Sequence, residues 1–173
     1  MRILIKITLS LVMISLLGTA APAQSKRGPS TPEERDTAVK AAHLLEADPF
    51  HKDSKKIREW FTRWLIEIPD ISVEVCNYLG PVLGSKKDYA GEIFTQTMFS
   101  SAAFMIEHPD QAKDKVAVNL ASVEGALKFY EAVLKVKPKA RQDSLDGLIV
   151  KRDKGELKAY VQEIAQSTCK GKQ

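Results

Sequence analysis

Few residues in this chain of 173 have side chains suited to catalysis or metal binding. Its only histidines are His43, His51 and His108, and no two of them have the spacing of three or four that places two ligands on one helix face. The two cysteines, Cys76 and Cys169, form no Cys-x-x-Cys motif for zinc or redox chemistry. The Gly-x-Ser-x-Gly motif of serine hydrolases does not occur either. We therefore predict no cofactor and no metal ion.

The two cysteines are better explained as a disulfide pair. An even number of cysteines in an exported protein favours an internal bridge, and a bond between Cys76 and Cys169 would span a sequence separation of 93. Closing so long a loop restricts the unfolded chain and stabilises the fold by about 4–5 kcal/mol in the entropy model. Free thiols and a disulfide-linked dimer are the alternatives.

Glu92 is the carboxylate that precedes an uncharged helical stretch, and residues 100–103, Ser-Ser-Ala-Ala, follow it. Lysozyme-like transglycosylases, which are exported and helical, use one Glu in apolar surroundings as a general acid. The chain is not recognised as a member of this family, and a partial resemblance at Glu92 alone would make this residue the acid of a cell-wall hydrolase. The chain departs from the family pattern at Ile93, where the family has Ser, and at residues 103–105, where it has glycines. A small envelope enzyme is therefore the alternative interpretation and not the first.

Basic residues concentrate at two places near the C-terminus. If the turn at Pro138 meets the end of the next helix, these residues form one positively charged surface, here named the basic end: Lys135, Lys137, Lys139, Arg141, Lys151, Arg152 and Lys154. Such a surface suits an anionic lipid, a cell-wall polymer or an envelope protein, and nucleic acid is not expected outside the cytoplasm. Nearby aspartates and the preference of lysines for helix C-termini leave an ordinary solvated surface as the alternative.

The N-terminus has the three parts of a cleavable secretion signal. Arg2 and Lys6 supply positive charge, residues 7–17 are uncharged and mostly aliphatic, and a small-x-small pattern ends at Ala23. The apolar run is shorter than the roughly 20 residues that a membrane-spanning helix needs. We predict cleavage before Gln24, export to the periplasm or the medium, and no integral membrane segment after cleavage. Losing the signal lowers the net charge from +4 to about +2.

The remaining chain has the spacing of helices and lacks the alternation of strands. Apolar residues recur at steps of three and four, most clearly from Ile57 to Ile68. Residues 93–106 contain no charge, which predicts a buried central helix. Prolines and glycines divide the chain into predicted helices within residues 31–48, 53–68, 73–79, 88–107, 109–136, 145–149 and 157–169.

The predicted fold class is all-α: an irregular bundle of six or seven helices with a central apolar helix, preceded by a signal peptide. The predicted organisation is a signal peptide over residues 1–23, a flexible leader over 24–30 and a single helical domain over 31–173. We predict an exported, non-enzymatic binding or structural module of the bacterial cell envelope, because no constellation of acids, bases or nucleophiles stands out.

Overall fold

The computed structural model describes residues 27–82, 86–167 and 169, so the predicted signal peptide lies outside the described residues. The described chain forms six α-helices and no β-strand, which confirms the prediction of an all-α bundle. The helices are α1 (Pro32–Ala47), α2 (Ser54–Glu67), α3 (Ala90–Glu107), α4 (Lys115–Val136), α5 (Asp143–Asp153) and α6 (Leu157–Ser167). Short 3-10 turns occupy Gly80–Val82 and Pro138–Ala140. In this part of the chain, no helix combines the length and the apolar character needed to cross a bilayer.

Helix α3 is the centre of the bundle and packs against both α1 and α4. Its buried side chains include Ile93 and Phe99 together with a run of small residues at positions 100–103. Small side chains let neighbouring helix backbones approach closely, and no charged residue occurs in α3 from residue 93 to residue 106, so this part of the helix can pack as the core.

Helix α2 joins the core through its predicted apolar stripe. Phe61 and Trp64 are buried, and the ring of Phe61 stacks on that of Phe99 in α3 with centroids 4.1 Å apart. Trp60 is half-buried and stacks on Trp64 at 5.8 Å. The aromatic residues of α2 therefore fill the core, as their helical spacing indicated.

The start of α1 is stabilised by its own capping box and by contacts of the residues that precede it. Thr31 and Glu34 form the capping box that the sequence indicates, each side chain bonding the other residue's backbone N–H. Ser30, at the end of the predicted leader, is buried and donates two hydrogen bonds to Asp70, from its backbone N–H at 2.9 Å and from its hydroxyl at 2.7 Å. Arg27 pairs with Glu34. The described part of the leader thus contacts the domain.

Two helix predictions are wrong in detail. The short helix predicted over residues 73–79 does not form: residues 71–77 are neither helix nor strand, and residues 78–79 form a turn. The β-branched Ile71, Val73 and residue 75 disfavour a helix in a segment this short. The helix predicted from Pro109 begins only at Lys115, because residues 109–113 form turns and the Asp114 carboxylate caps the backbone N–H groups of the first turn.

The predicted cysteine pair lies at disulfide distance. The Cα atoms of Cys76 and Cys169 are 5.6 Å apart, and the bond ties the segment after α2 to the end of the chain beyond α6. Tyr160 reinforces this link by donating a hydrogen bond of 2.9 Å to the carbonyl of Tyr78. Burial and the negative charge of Glu74 raise the pKa of Tyr78 to about 12.

Candidate functional site

The basic end surrounds helix α5 and the turn that leads into it. Four exposed residues lie between the last turn of α4 and the start of α5: Lys135, Lys137, Lys139 and Arg141. Lys151, Arg152 and Lys154 lie at the other end of α5. A helix of 11 residues is about 16 Å long, so Lys139 and Arg141 lie near the start of α5 and Lys151 and Lys154 near its end. Lys135 lies between them, one turn along α4 from Glu131, the partner of Arg152.

The two arginines of the basic end are engaged within the protein. Arg152 donates two hydrogen bonds to Glu131 of α4, at 2.7 and 2.9 Å, and also contacts Asp153. Arg141 pairs with Asp146 at 3.3 Å. Lys151 lies over the ring of Tyr160, 5.5 Å from its centroid. The remaining members have no ion pair among the described residues: Lys135, Lys137, Lys139 and Lys154.

Apolar side chains are exposed among these lysines. Val136 is 59% exposed between Lys135 and Lys137, and Val150 is 50% exposed on α5. A hollow of about 510 Å³ between α4 and α5 has Leu134, Ile149 and Val150 in its lining. Lys135 and Arg141 contribute to the same lining. The surface therefore combines unpaired cations with exposed aliphatic side chains.

A second polar feature, which the sequence patterns did not single out, lies between α1, α3 and α4. We call this the polar groove; its volume is about 490 Å³. At its base, the carboxylate of Glu46 is buried, accepts a hydrogen bond of 2.7 Å from the Ser100 hydroxyl and lies 3.5 Å from the Lys128 ammonium. Gln96 is buried as well and donates to Ser100 Oγ at 3.1 Å.

His43 bridges two carboxylates at the edge of the polar groove. Its Nδ1 lies 3.3 Å from Glu46 Oε2, and its Nε2 lies 3.0 Å from Glu107 Oε1 on α3. Burial lowers the pKa of His43, but the hydrogen bonds to Glu107 and Glu46 and their negative charges outweigh burial and raise the pKa above its ordinary value. The imidazole therefore connects α1 to α3 most strongly when it is protonated.

Helix α4 lies directly against the hydroxyl at the polar groove. A Cβ atom added at Gly125 of α4 would overlap Ser100 Oγ, which among the described residues is the one hydroxyl bonded to Glu46. Ser100 is buried and its hydroxyl is hydrogen-bonded to Glu46 and Gln96, so it connects α3 to α1. Within the described residues, no three His, Cys, Asp or Glu side chains converge as metal ligands.

The chain matches no protein family, no curated protein and no solved structure. Its function must therefore be inferred from its own residues. Glu92, the carboxylate of the hydrolase alternative, lies in the first turn of α3, is half-buried, and does not line the polar groove.

One spacing in the sequence indicates part of the polar groove. His43 and Glu46 are three residues apart on α1 and therefore share a helix face. Their partners Ser100 and Glu107 come from α3, more than fifty positions later, and helical spacing within one segment does not indicate which distant helix supplies such partners.

Proposed function

We propose that this protein is an exported helical module, without enzymatic activity, that binds an anionic surface of the bacterial cell envelope through the basic end. The N-terminal signal pattern supports export to the periplasm or the medium. The observation that carries the proposal is the exposure of Val136 and Val150 near lysines that have no ion pair among the described residues.

Charge supports an anionic ligand. Two arginines pair with three carboxylates, Arg141 with Asp146 and Arg152 with both Glu131 and Asp153, so these pairs keep one net negative charge. With Asp143 of α5, two negative charges stand against the four lysines that have no ion pair among the described residues. Each lysine near an anionic bilayer contributes about 1 kcal/mol to binding. Four lysines therefore provide a moderate, reversible attraction that salt screens.

The exposed valines favour a lipid surface over a soluble polymer. Aliphatic side chains beside lysines can enter the boundary between headgroups and acyl chains while the ammonium groups remain with the phosphates. Val136 lies in the continuously exposed segment 135–139 and is itself 59% exposed. A sugar polymer or a purely polar polyanion would gain little from these valines.

The test uses protein expressed from the full-length gene in a bacterial host and purified after cell fractionation. N-terminal sequencing of the purified chain should begin at Gln24, and the chain should be recovered outside the cytoplasm. We expect it to co-sediment with vesicles containing phosphatidylglycerol and not with vesicles of phosphatidylcholine alone. The Lys137→Gln/Lys139→Gln variant should bind about 30-fold more weakly, since two lysines contribute about 2 kcal/mol.

Two further variants distinguish the interpretations. Lys55→Gln/Lys56→Gln makes the same charge change on α2, at lysines that are 87% and 84% exposed, and should bind as the wild type does. Val136→Asn should weaken binding to vesicles but not to isolated cell-wall polymer. If both double variants lose vesicle affinity equally, binding depends only on net charge, and the proposal that the basic end binds specifically is contradicted.

The small envelope enzyme remains the alternative proposal. The carboxylates to test are Glu92, from the resemblance, and Glu46, which lines the polar groove. Release of soluble fragments from purified cell walls by the wild type, with loss in either Glu→Gln variant of comparable stability, would favour the enzyme.

A further inference from the structure

Among the described residues, the carboxamide of Asn119 has no hydrogen-bond partner. Asn119 lies on α4 and is 2% exposed, yet its Oδ1 atom is buried without a hydrogen bond. No hydrogen bond to its amide nitrogen occurs among the described residues either. Burying an amide without a partner destabilises a fold, and natural proteins seldom leave such a group unsatisfied without a reason.

Asn119 faces a groove that is separate from the basic end. This groove, the Asn119 groove, has a volume of about 560 Å³ and lies between α3, α4 and the segment of residues 71–77. Val73, Met105 and Val118 give it apolar walls. Ser72, Glu74, Lys113 and Lys115 also line it, so the groove combines apolar walls with a few polar groups, which is a common design of ligand-binding sites.

The segment along one side of this groove, residues 71–77, belongs to no helix and no strand. Burial alternates from Ile71 (buried) through Ser72 (exposed) and Val73 (half-buried) to Glu74 (exposed), as it does along a β-strand, and Val75 is exposed as well. From Ile71 to Val75, no backbone N–H or C=O is hydrogen-bonded to another described residue. These groups form the same kind of edge to which extended peptides add in other proteins.

We propose that the Asn119 groove binds an extended peptide segment of a partner protein. The peptide pairs through its backbone with residues 72–75 and places one apolar side chain between Val73, Met105 and Val118. The Asn119 carboxamide, which can both donate and accept, satisfies one peptide unit. None of these contacts belongs to the basic end. Peptide binding by the Asn119 groove and binding of an anionic surface by the basic end can therefore be tested separately.

Charge at the rim of the groove sets a preference among peptides. Lys115 pairs with Glu74 at 3.0 Å, whereas Lys113 has no ion pair among the described residues. The rim therefore carries one uncompensated positive charge. A peptide with an acidic residue beside its apolar anchor, or with a nearby C-terminal carboxylate, should bind more tightly than a basic one.

The informative variant is Asn119→Leu. It replaces the unsatisfied amide with an apolar side chain of similar size in a groove that has room for it. If the amide serves a ligand, the variant should melt about 2–4 °C higher than the wild type, because a buried unsatisfied group has been removed. The same variant should lose peptide binding by at least tenfold. A structural asparagine would instead show lower stability.

The probe is a phage-displayed library of random heptapeptides, selected on the immobilised wild-type protein and counter-selected on Asn119→Leu. Peptides enriched only on the wild type should share an apolar residue next to an acidic one. Hydrogen exchange should then show the amides of residues 72–75 unprotected in the protein alone and protected when a selected peptide is added. The Lys137→Gln/Lys139→Gln variant should bind the same peptides as the wild type.

Either of two outcomes overturns the proposal. One is that both proteins select the same peptides or none. The other is that Asn119→Leu melts below the wild type and leaves exchange at residues 72–75 unchanged by peptide. Neither outcome affects the vesicle assay: Asn119→Leu keeps every lysine of the basic end and should bind vesicles as the wild type does.

Discussion

The hydroxyl of Ser100 donates a hydrogen bond of 2.7 Å to the buried carboxylate of Glu46, which lies 54 positions earlier in the chain. The bond joins α3 to α1 in the core, and α4 closes over it at Gly125. Three helices therefore meet at one polar contact. A buried carboxylate of this kind is tolerated only when its oxygens have partners, so the contact makes the packing of these helices interdependent.

Gly125→Ala should destabilise the protein. The new Cβ atom would overlap Ser100 Oγ and approach Glu46 Oε1, so α4 must move or the hydrogen bond must break. We expect a loss of about 1–3 kcal/mol in the free energy of unfolding, measured by urea titration. The matched control is Gly147→Ala on α5, where an added Cβ meets nothing within 4 Å. It should stabilise the protein by about 0.5–1 kcal/mol; equal effects would show that α4 does not pack closely on α3.

His43 should make stability depend on pH near neutrality. Its pKa is raised in the folded protein, so its contribution is fully present below the unfolded value of about 6.5 and is lost as pH rises through the folded value. His43→Gln should therefore lower the melting temperature at pH 5.5 more than at pH 8.5. Glu107→Gln, which removes one partner of the imidazole, should reduce the same pH dependence. A constant difference between wild type and His43→Gln across this range would contradict the interpretation.

The contribution of Asp70 to stability should be lost as the pH falls, whereas that of His43 is lost as the pH rises. Burial alone would raise its pKa, but two hydrogen bonds from Ser30 and one from Arg35 lower it to about 2. Its contribution is present above the unfolded value of 3.8 and is lost as pH falls toward 2. Asp70→Asn should reduce stability by about 1 kcal/mol at pH 6, and the difference from the wild type should shrink in urea titrations as the buffer approaches pH 2.

The control for Asp70 is the surface pair of Asp36 and Lys40 on α1. Both side chains are largely exposed, at 61% and 75%. Asp36→Asn should change stability by less than about 0.5 kcal/mol at pH 6. A comparable loss for the two variants would mean that the contacts of Ser30 and Arg35 add nothing beyond an ordinary surface pair.

The disulfide should be a major source of stability. Replacing both Cys76 and Cys169 with Ser restores freedom to a long unfolded loop and should cost about 2–5 kcal/mol. Differential scanning calorimetry should show the wild type melting lower in reductant, while the double variant melts at one temperature with and without it. Identical melting of the wild type under both conditions would contradict a stabilising bond.

Local sequence signals predicted the elements whose causes are local. The capping box of Thr31 and Glu34 marks the start of α1, and the apolar stripe of α2 marks its buried face. The helix predicted over residues 73–79 was wrong because three apolar residues at helical spacing also fit a non-helical segment. The segment is tied to distant parts of the chain by the bond from Cys76 to Cys169 and by the pairing of Glu74 with Lys115.

The sequence by itself determined an all-helical chain with an uncharged central helix, because helical periodicity and the exclusion of charge from a core act within one segment. Only the tertiary structure decided which polar groups meet. It brings Ser100 to Glu46, seats Gly125 over both, and leaves Asn119 without a partner. Periodicity specifies the buried face of a helix, but the partner across that face depends on how helices distant in the chain are rotated and spaced in the bundle.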